Sequence, residues 1–271
     1  MKSMITIIKE QVNAFYLIIR LSLFELKSKN NNNYLGMLWE LINPLIQIGI
    51  YWFVFGIGIR GGSPVNGIPY VYWMLSGIVV WFFVNPAILE ASKAIYTRIN
   101  FIAKMSFPMS VIPTYVIVSK FYPHILLTAL IAIALQFGGF FVSIYYLQLF
   151  YFMFACLALL IALSLITSTL ATIVRDVQMI VQAVVRMLLY LTPLLWTPQE
   201  SSKLPEFIQM VMMANPLYYI VEGYRAALLG TSWFMVENIG YTIYFWALVI
   251  VLLGIGSFLH LKFRNHFVDY L

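Results

Sequence analysis

The sequence predicts an all-α polytopic membrane protein with six transmembrane helices, an N-terminal amphipathic interface helix, and a re-entrant helical hairpin on the outer side between the fifth and sixth spans. Three observations carry that prediction. Of 271 residues, 62% are hydrophobic and 10% charged, with a mean hydropathy of +0.90, whereas soluble domains carry about a quarter charged residues. From Phe121 to Val174 there is no Asp, Glu, Lys or Arg, which is room for two spans of about 20 residues and a turn. Finally, the stretch from Tyr190 to Gly230 is apolar enough for a bilayer yet cut by Pro193, Pro198, Pro205 and Pro216. Broken helices persist at membrane depth only where protein or a water-filled cavity satisfies the freed backbone groups.

Taken in order, residues 1–33 form the interface element. Ile5, Ile8, Val12, Phe15, Ile19, Leu23 and Leu26 recur at steps of three or four, an apolar stripe on a helix whose other faces carry Lys2, Lys9, Arg20 and Lys27. The asparagines after Lys29 break it, and Tyr34 and Trp39 supply rings suited to the headgroup level. A first span is expected over 41–59, with Asn43, Pro44 and Gln47 near its start, and a Gly- and Pro-rich loop leads to a second over 70–89. The segment from Glu90 to Pro113 holds Glu90, Lys93, Arg98 and Lys104 and is read as leaving the membrane. Spans follow over 115–141, 147–174, 177–195 and 239–261, with residues 196–230 as the hairpin, all within one transmembrane domain of 1–271.

Charge sets the orientation, because cytoplasmic loops carry the excess of Lys and Arg. With the N-terminus inside, the basic residues of the interface helix, Lys93, Arg98, Lys104, Arg175, Lys262 and Arg264 fall on the cytoplasmic side, against Arg60, Lys203 and Arg225 outside. Both termini are therefore expected in the cytoplasm and the Pro-broken stretch at the outer face. The net charge of +6 is dispersed between apolar segments rather than gathered into a stripe, which speaks for membrane orientation and against nucleic acid. Residues 1–29 carry charges throughout and lack a compact apolar centre with a cleavage site, so a retained N-terminus is expected.

The sequence offers little catalytic chemistry. Gly56-Ile-Gly-Ile-Arg-Gly61 has dinucleotide-loop spacing but closes an apolar span rather than opening a helix after a strand, and no P-loop signature occurs. The single cysteine, Cys156, excludes a disulfide framework, and His124, His260 and His266 lack the i, i+4 spacing of a helical metal pair. No metal or cofactor is expected in the chain. Attention falls instead on ionisable residues at membrane depth, which are costly and hence functional candidates. Glu222 and Arg225 stand at i, i+3, either an ion pair that holds the hairpin or a gating and substrate contact. Arg186 neutralises either a neighbour or a phosphate. Arg175 and Asp176 form either a solvated helix end or a docking point. Trp73, Tyr190, Trp196, Tyr218 and Tyr224 are candidates for a lumen whose flat rings stack on sugar faces. Lys120 and His124, four residues apart, are read as facing a polar interior or, for Lys120, as snorkelling.

Several motifs in order resemble the ABC-2 type exporter permeases, within them the polysaccharide and teichoic acid branch. They are Tyr34-Leu-Gly-Met-Leu-Trp-Glu-Leu-Ile-Asn-Pro44, then Asn100-Phe-Ile-Ala-Lys-Met-Ser-Phe-Pro108 with Pro113, then Arg175-Asp-Val177, then Asn215-Pro216 leading to Arg225. The resemblance implies a multi-pass protein of a bacterial plasma membrane, working as a homodimer with two copies of a separate ABC ATPase that binds ATP and Mg. It implies that residues 1–29 and 97–107 dock that ATPase, with Arg98, Lys104, Phe107, Arg175 and Asp176 as coupling contacts. The implied substrate is a polyprenyl-pyrophosphate-linked polymer. Teichoic acid is the first choice, followed by O-antigen or capsular polysaccharide and then a small molecule or drug. A membrane transferase is the remaining class, but it calls for an acidic metal cluster that the spacing of Glu200, Glu206, Glu222 and Glu237 does not supply.

Overall fold

A computed structural model describes residues 2–31, 34–98, 108–196 and 205–267. Among these residues the chain is helical and has no strand. Two short helices, α1 (Lys2–Asn13) and α2 (Phe15–Asn30), come first. The expected single helix is thus broken at Ala14. Its apolar stripe, with Ile5, Ile8, Val12, Phe15 and Leu23, faces away from the protein, while Ile7, Ile18 and Ser22 pack inward.

Among the described residues, five helices are long and apolar enough to cross a membrane: Gly36–Ile59, Tyr70–Ser92, Val111–Phe137, Ile144–Ile173 and Ile239–Phe263. We label their α-helical parts α3 (Trp39–Tyr51, continued by a π-helical stretch Trp52–Ile59), α4 (Tyr70–Ser92), α5 (Val111–Phe137), α6 (Leu147–Ile173) and α11 (Ile239–Phe263). Between α6 and α11 lie α7 (Val177–Leu191), α8 (Glu206–Ala214), α9 (Pro216–Leu229) and α10 (Phe234–Glu237). The expected span 177–195 is therefore a helix of 15 residues, about 22 Å long at 1.5 Å per residue, short of a hydrocarbon core of about 30 Å. It ends before Pro193: Thr192 adopts an extended conformation, φ −86° and ψ 127°, the region that a following proline favours.

Helix α4 is the centre of the bundle. It packs against α5, α6, α7 and α9, and most of its residues from Tyr70 to Val84 are buried, so its continuous apolar run needs no polar face. Helix α11 lies along α6, where Gly256 approaches Ala162 and Leu165 closely enough that a Cβ would meet the Leu165 side chain at 2.9 Å, the small-residue contact by which membrane helices associate. Helix α3 is the opposite of α4. Only 6% of its span is buried, and Ile46, Ile50, Phe53 and Ile57 are exposed.

The bundle has two ends. At one, α1 and α2 are tied down: Glu10 accepts hydrogen bonds from Ser110 at 2.6 Å and Arg264 at 2.7 Å, and Ser22 shares one with Tyr122 at 3.0 Å. At the other lie the turn Asn66-Gly67, the proline-broken stretch and α9. That turn has positive φ at both residues, 48° and 79°, which suits Asn-Gly, and is closed by reciprocal 2.8 Å bonds between Val65 and Ile68. Helix α9 starts where the Asn215 side chain accepts from the Leu217 amide at 3.0 Å, with Pro216 at the first helical position. It stops at Gly230, φ 68°.

Candidate functional site: polar clusters at the two ends of the bundle

At the end bearing α9, Arg225 is 4% exposed and held by three elements, its buried Nε lacking a hydrogen-bond partner among the described residues. It pairs with Glu222 one turn earlier. Its Nη2 donates to the carbonyls of Pro193 at 2.7 Å and Leu194 at 3.3 Å, and its guanidinium lies 3.7 Å from the centroid of the Trp73 ring. Both carbonyls belong to the non-helical residues that follow the end of α7 at Leu191, so the arginine satisfies backbone that no helix engages. Gly77 on α4 makes room: a Cβ there would stand 2.7 Å from Arg225 Nη2. A cavity of about 300 Å³ adjoins the cluster, lined by Trp73, Glu222, Arg225, Asn66 and Ser232 among others.

The end bearing α1 and α2 holds an open network. Glu90, near the end of α4, accepts from Lys29 at 2.6 Å and lies 3.0 Å from Lys120. Lys29 is also 4.0 Å from Glu40. Burial opposes the Lys29 ammonium, but the hydrogen bond and charge of Glu90 outweigh it and hold its pKa above the usual lysine value. Lys29, Glu40 and Lys120 line a cavity of about 220 Å³ with Asn43, Gln47 and Asn85, while Glu90 pairs with the two lysines without lining it. A second cavity, of about 370 Å³, shares Gln47 and Asn85 with the first and adds Tyr51, Trp81, Gln182, Arg186 and Tyr190. Together they make a groove between α3, α4 and α7. Glu40, Asn43, Gln47 and Tyr51 stand at steps of three and four on α3, and Gln182, Arg186 and Tyr190 at steps of four on α7, so each helix turns one polar stripe toward the groove.

The residues singled out in the sequence thus separate into groups. Arg186 and Tyr190 line the groove, and Trp196 donates its indole N–H to the Tyr190 carbonyl at 3.0 Å. Trp73, Glu222 and Arg225 form the distant clip. Tyr218 packs beside Tyr241, ring centroids 6.3 Å apart. Tyr224 is fully buried and shares a 2.8 Å hydrogen bond with His124, which stacks on Phe83; it lines none of these cavities and is a core residue. Arg98 is paired with Glu25 of α2 and sits over Tyr115, a tie within the chain. Arg175 and Asp176 are exposed in the turn before α7. Lys104 and Phe107 lie outside the described residues. Sequence reasoning did not assemble Lys29, Glu40, Glu90, Lys120 and Asn85 into one site. The signal within reach was the polar spacing on α3 and two of the three Asn-Pro steps, Asn43-Pro44 and Asn85-Pro86.

The sequence pattern of the family described as ABC-2 type transporter matches residues 16–229, which spans α2 through α9. The chain belongs to the ABC-2 type transporter family. An O-antigen export system permease protein RfbA from Myxococcus xanthus is 24% identical over 225 residues, covering 82% of this chain and 84% of that one. Proteins of the same name from Klebsiella pneumoniae are 24% and 25% identical over 255 and 254 residues, each covering 92% of this chain and 93% of the relative. As a family member with several apolar helices the chain is a multi-pass membrane permease, the non-catalytic membrane subunit of an ABC exporter.

Proposed function

We propose that this chain is the permease subunit of a polysaccharide export system of the O-antigen kind, moving a polyprenyl-pyrophosphate-linked glycan from the cytoplasmic to the outer face of a bacterial plasma membrane. The observation that carries the reading is the near full-length likeness to permeases named for O-antigen export. The same names turn the order of substrates around: teichoic acid, first on overall likeness, finds no support among these relatives, and O-antigen takes its place. Within this reading the chain works as a homodimer with two copies of an ATPase chain. The bare outer face of α3 is where a second copy packs, and the α3–α4–α7 groove then borders the path between copies. Helix α7 counts as a sixth span, α8 and α9 as a re-entrant hairpin, and α1–α2 as an interface element with both termini cytoplasmic.

ATP binding to the partner biases two arrangements of the permease through its differential affinity for them. Arg175 and Asp176, exposed before α7, are the contacts through which that bias reaches the groove. Arg98 acts through its tie to α2. In proteoliposomes holding the permease and its ATPase, an O-antigen-type lipid-linked glycan is expected to stimulate ATP hydrolysis and to cross the bilayer. Stimulation by lipid-linked teichoic acid alone would overturn the substrate assignment and leave the family intact.

A further inference from the structure

Beside the charged cavity at the α1–α2 end lies an apolar one of about 220 Å³. The two share Glu40 and Pro123, and the apolar slot is walled by Leu26 of α2, Met37 and Leu41 at the start of the α3 span, and Tyr122 and Leu126 of α5. Leu126 is 54% exposed, so the slot opens to the surroundings of the bundle. A charged pocket joined side by side to an apolar slot matches an amphiphile, with headgroup in one and chain in the other.

The charges narrow the headgroup. Lys29 and Lys120 share Glu90, and Glu40 stands 4.0 Å from Lys29, so the four-residue network carries no net charge, with Lys29, Lys120 and Glu40 lining the cavity. The Lys120 side chain is 4% exposed, and Glu90 takes one of the three N–H donors of its ammonium, which leaves hydrogen-bonding capacity toward the cavity Lys120 lines. An anionic headgroup meets lysines already paired with Glu90 and must bring its charge up against Glu40 without a compensating cation. A headgroup that carries both signs meets both partners at once.

We propose that these two cavities form a site for a zwitterionic phospholipid, its phosphate held by Lys29 and Lys120, its primary ammonium by Glu40, and one acyl chain in the slot between α2, α3 and α5. The lipid braces the start of the α3 span at Met37, Glu40 and Leu41, and so fixes the helix that carries one polar stripe of the groove. The charged cavity is one end of the groove assigned above to the export path, but the readout is lipid retention, so the assignment can fail while the export reading stands.

The test is native mass spectrometry of the full-length protein released from nanodiscs containing equal phosphatidylethanolamine and phosphatidylglycerol, with a polyprenyl pyrophosphate added in a second series. Phosphatidylethanolamine is expected to be retained over phosphatidylglycerol by about tenfold, equivalent to 1.4 kcal/mol. Leu126→Trp, at an exposed position where folding is preserved, fills the slot and is expected to abolish that retention. Glu40→Gln leaves the pocket net positive and is expected to shift the preference toward phosphatidylglycerol. Equal or greater retention of phosphatidylglycerol or of the polyprenyl pyrophosphate by the unmodified protein would overturn the proposal, as would Leu126→Trp holding phosphatidylethanolamine unchanged.

Discussion

Both ends of the bundle bury charged side chains, and they do so in opposite ways. Arg225 is closed in by a carboxylate, two backbone carbonyls and an indole face drawn from three elements. The network of Lys29, Glu40, Glu90 and Lys120 shares one carboxylate between two ammonium groups and borders a cavity that runs on into the groove. The guanidinium of Arg225 holds the unwound backbone after α7 against α4 and α9, with a cavity of about 300 Å³ beside it. The other network instead opens through its cavity into the groove. The comparison separates a charge that holds the fold from charges that are placed to work, although both look alike as ionisable residues in apolar sequence.

The largest expected effect breaks the clip. Arg225→Ala strands Glu222 and the carbonyls of Pro193 and Leu194, and is expected to cost about 3–5 kcal/mol, read as a lower melting temperature of the purified protein. Gly77→Ala pushes a methyl group against the same guanidinium and is expected to cost about 1–3 kcal/mol; a neutral result would show that the clip has slack. Arg186→Ala sharpens the contrast from the other side. Its side chain is exposed in the groove, so stability is expected to move by less than about 0.5 kcal/mol while glycan-stimulated ATP hydrolysis falls. Smallest in stability is Arg175→Ala, also within about 0.5 kcal/mol, with hydrolysis retained and export lost in vesicles; normal export would remove Arg175 from the coupling contacts.

Much of the helical layout was legible, because long apolar runs bounded by Gly, Pro and charge leave few alternatives in a membrane. The i, i+3 pair of Glu222 and Arg225 was legible for the same local reason. What it holds was not, since Trp73 and Pro193 come from distant segments and only packing brings them together. The short α7 shows where apolar counting fails: the run continues to Leu195, but Thr192 before Pro193 turns extended and ends the helix. Tyr224 shows the limit of reading aromatics, because a ring in a core and a ring in a lumen have the same sequence context. The α3 stripe of Glu40, Asn43, Gln47 and Tyr51 was present at helical spacing, yet its meaning depends on Asn85 and Lys120 arriving from α4 and α5.

The account rests on the groove belonging to an exporter of lipid-linked polysaccharide, and one measurement tests that directly. The permease and its ATPase are reconstituted together, a fluorescent O-antigen-type polyprenyl-pyrophosphate glycan is supplied on the ATPase side, and its appearance on the opposite side is followed. ATP-dependent arrival that Arg186→Ala suppresses without unfolding the protein is the predicted result. Absence of glycan transfer by a complex that hydrolyses ATP and moves another substrate would contradict the account.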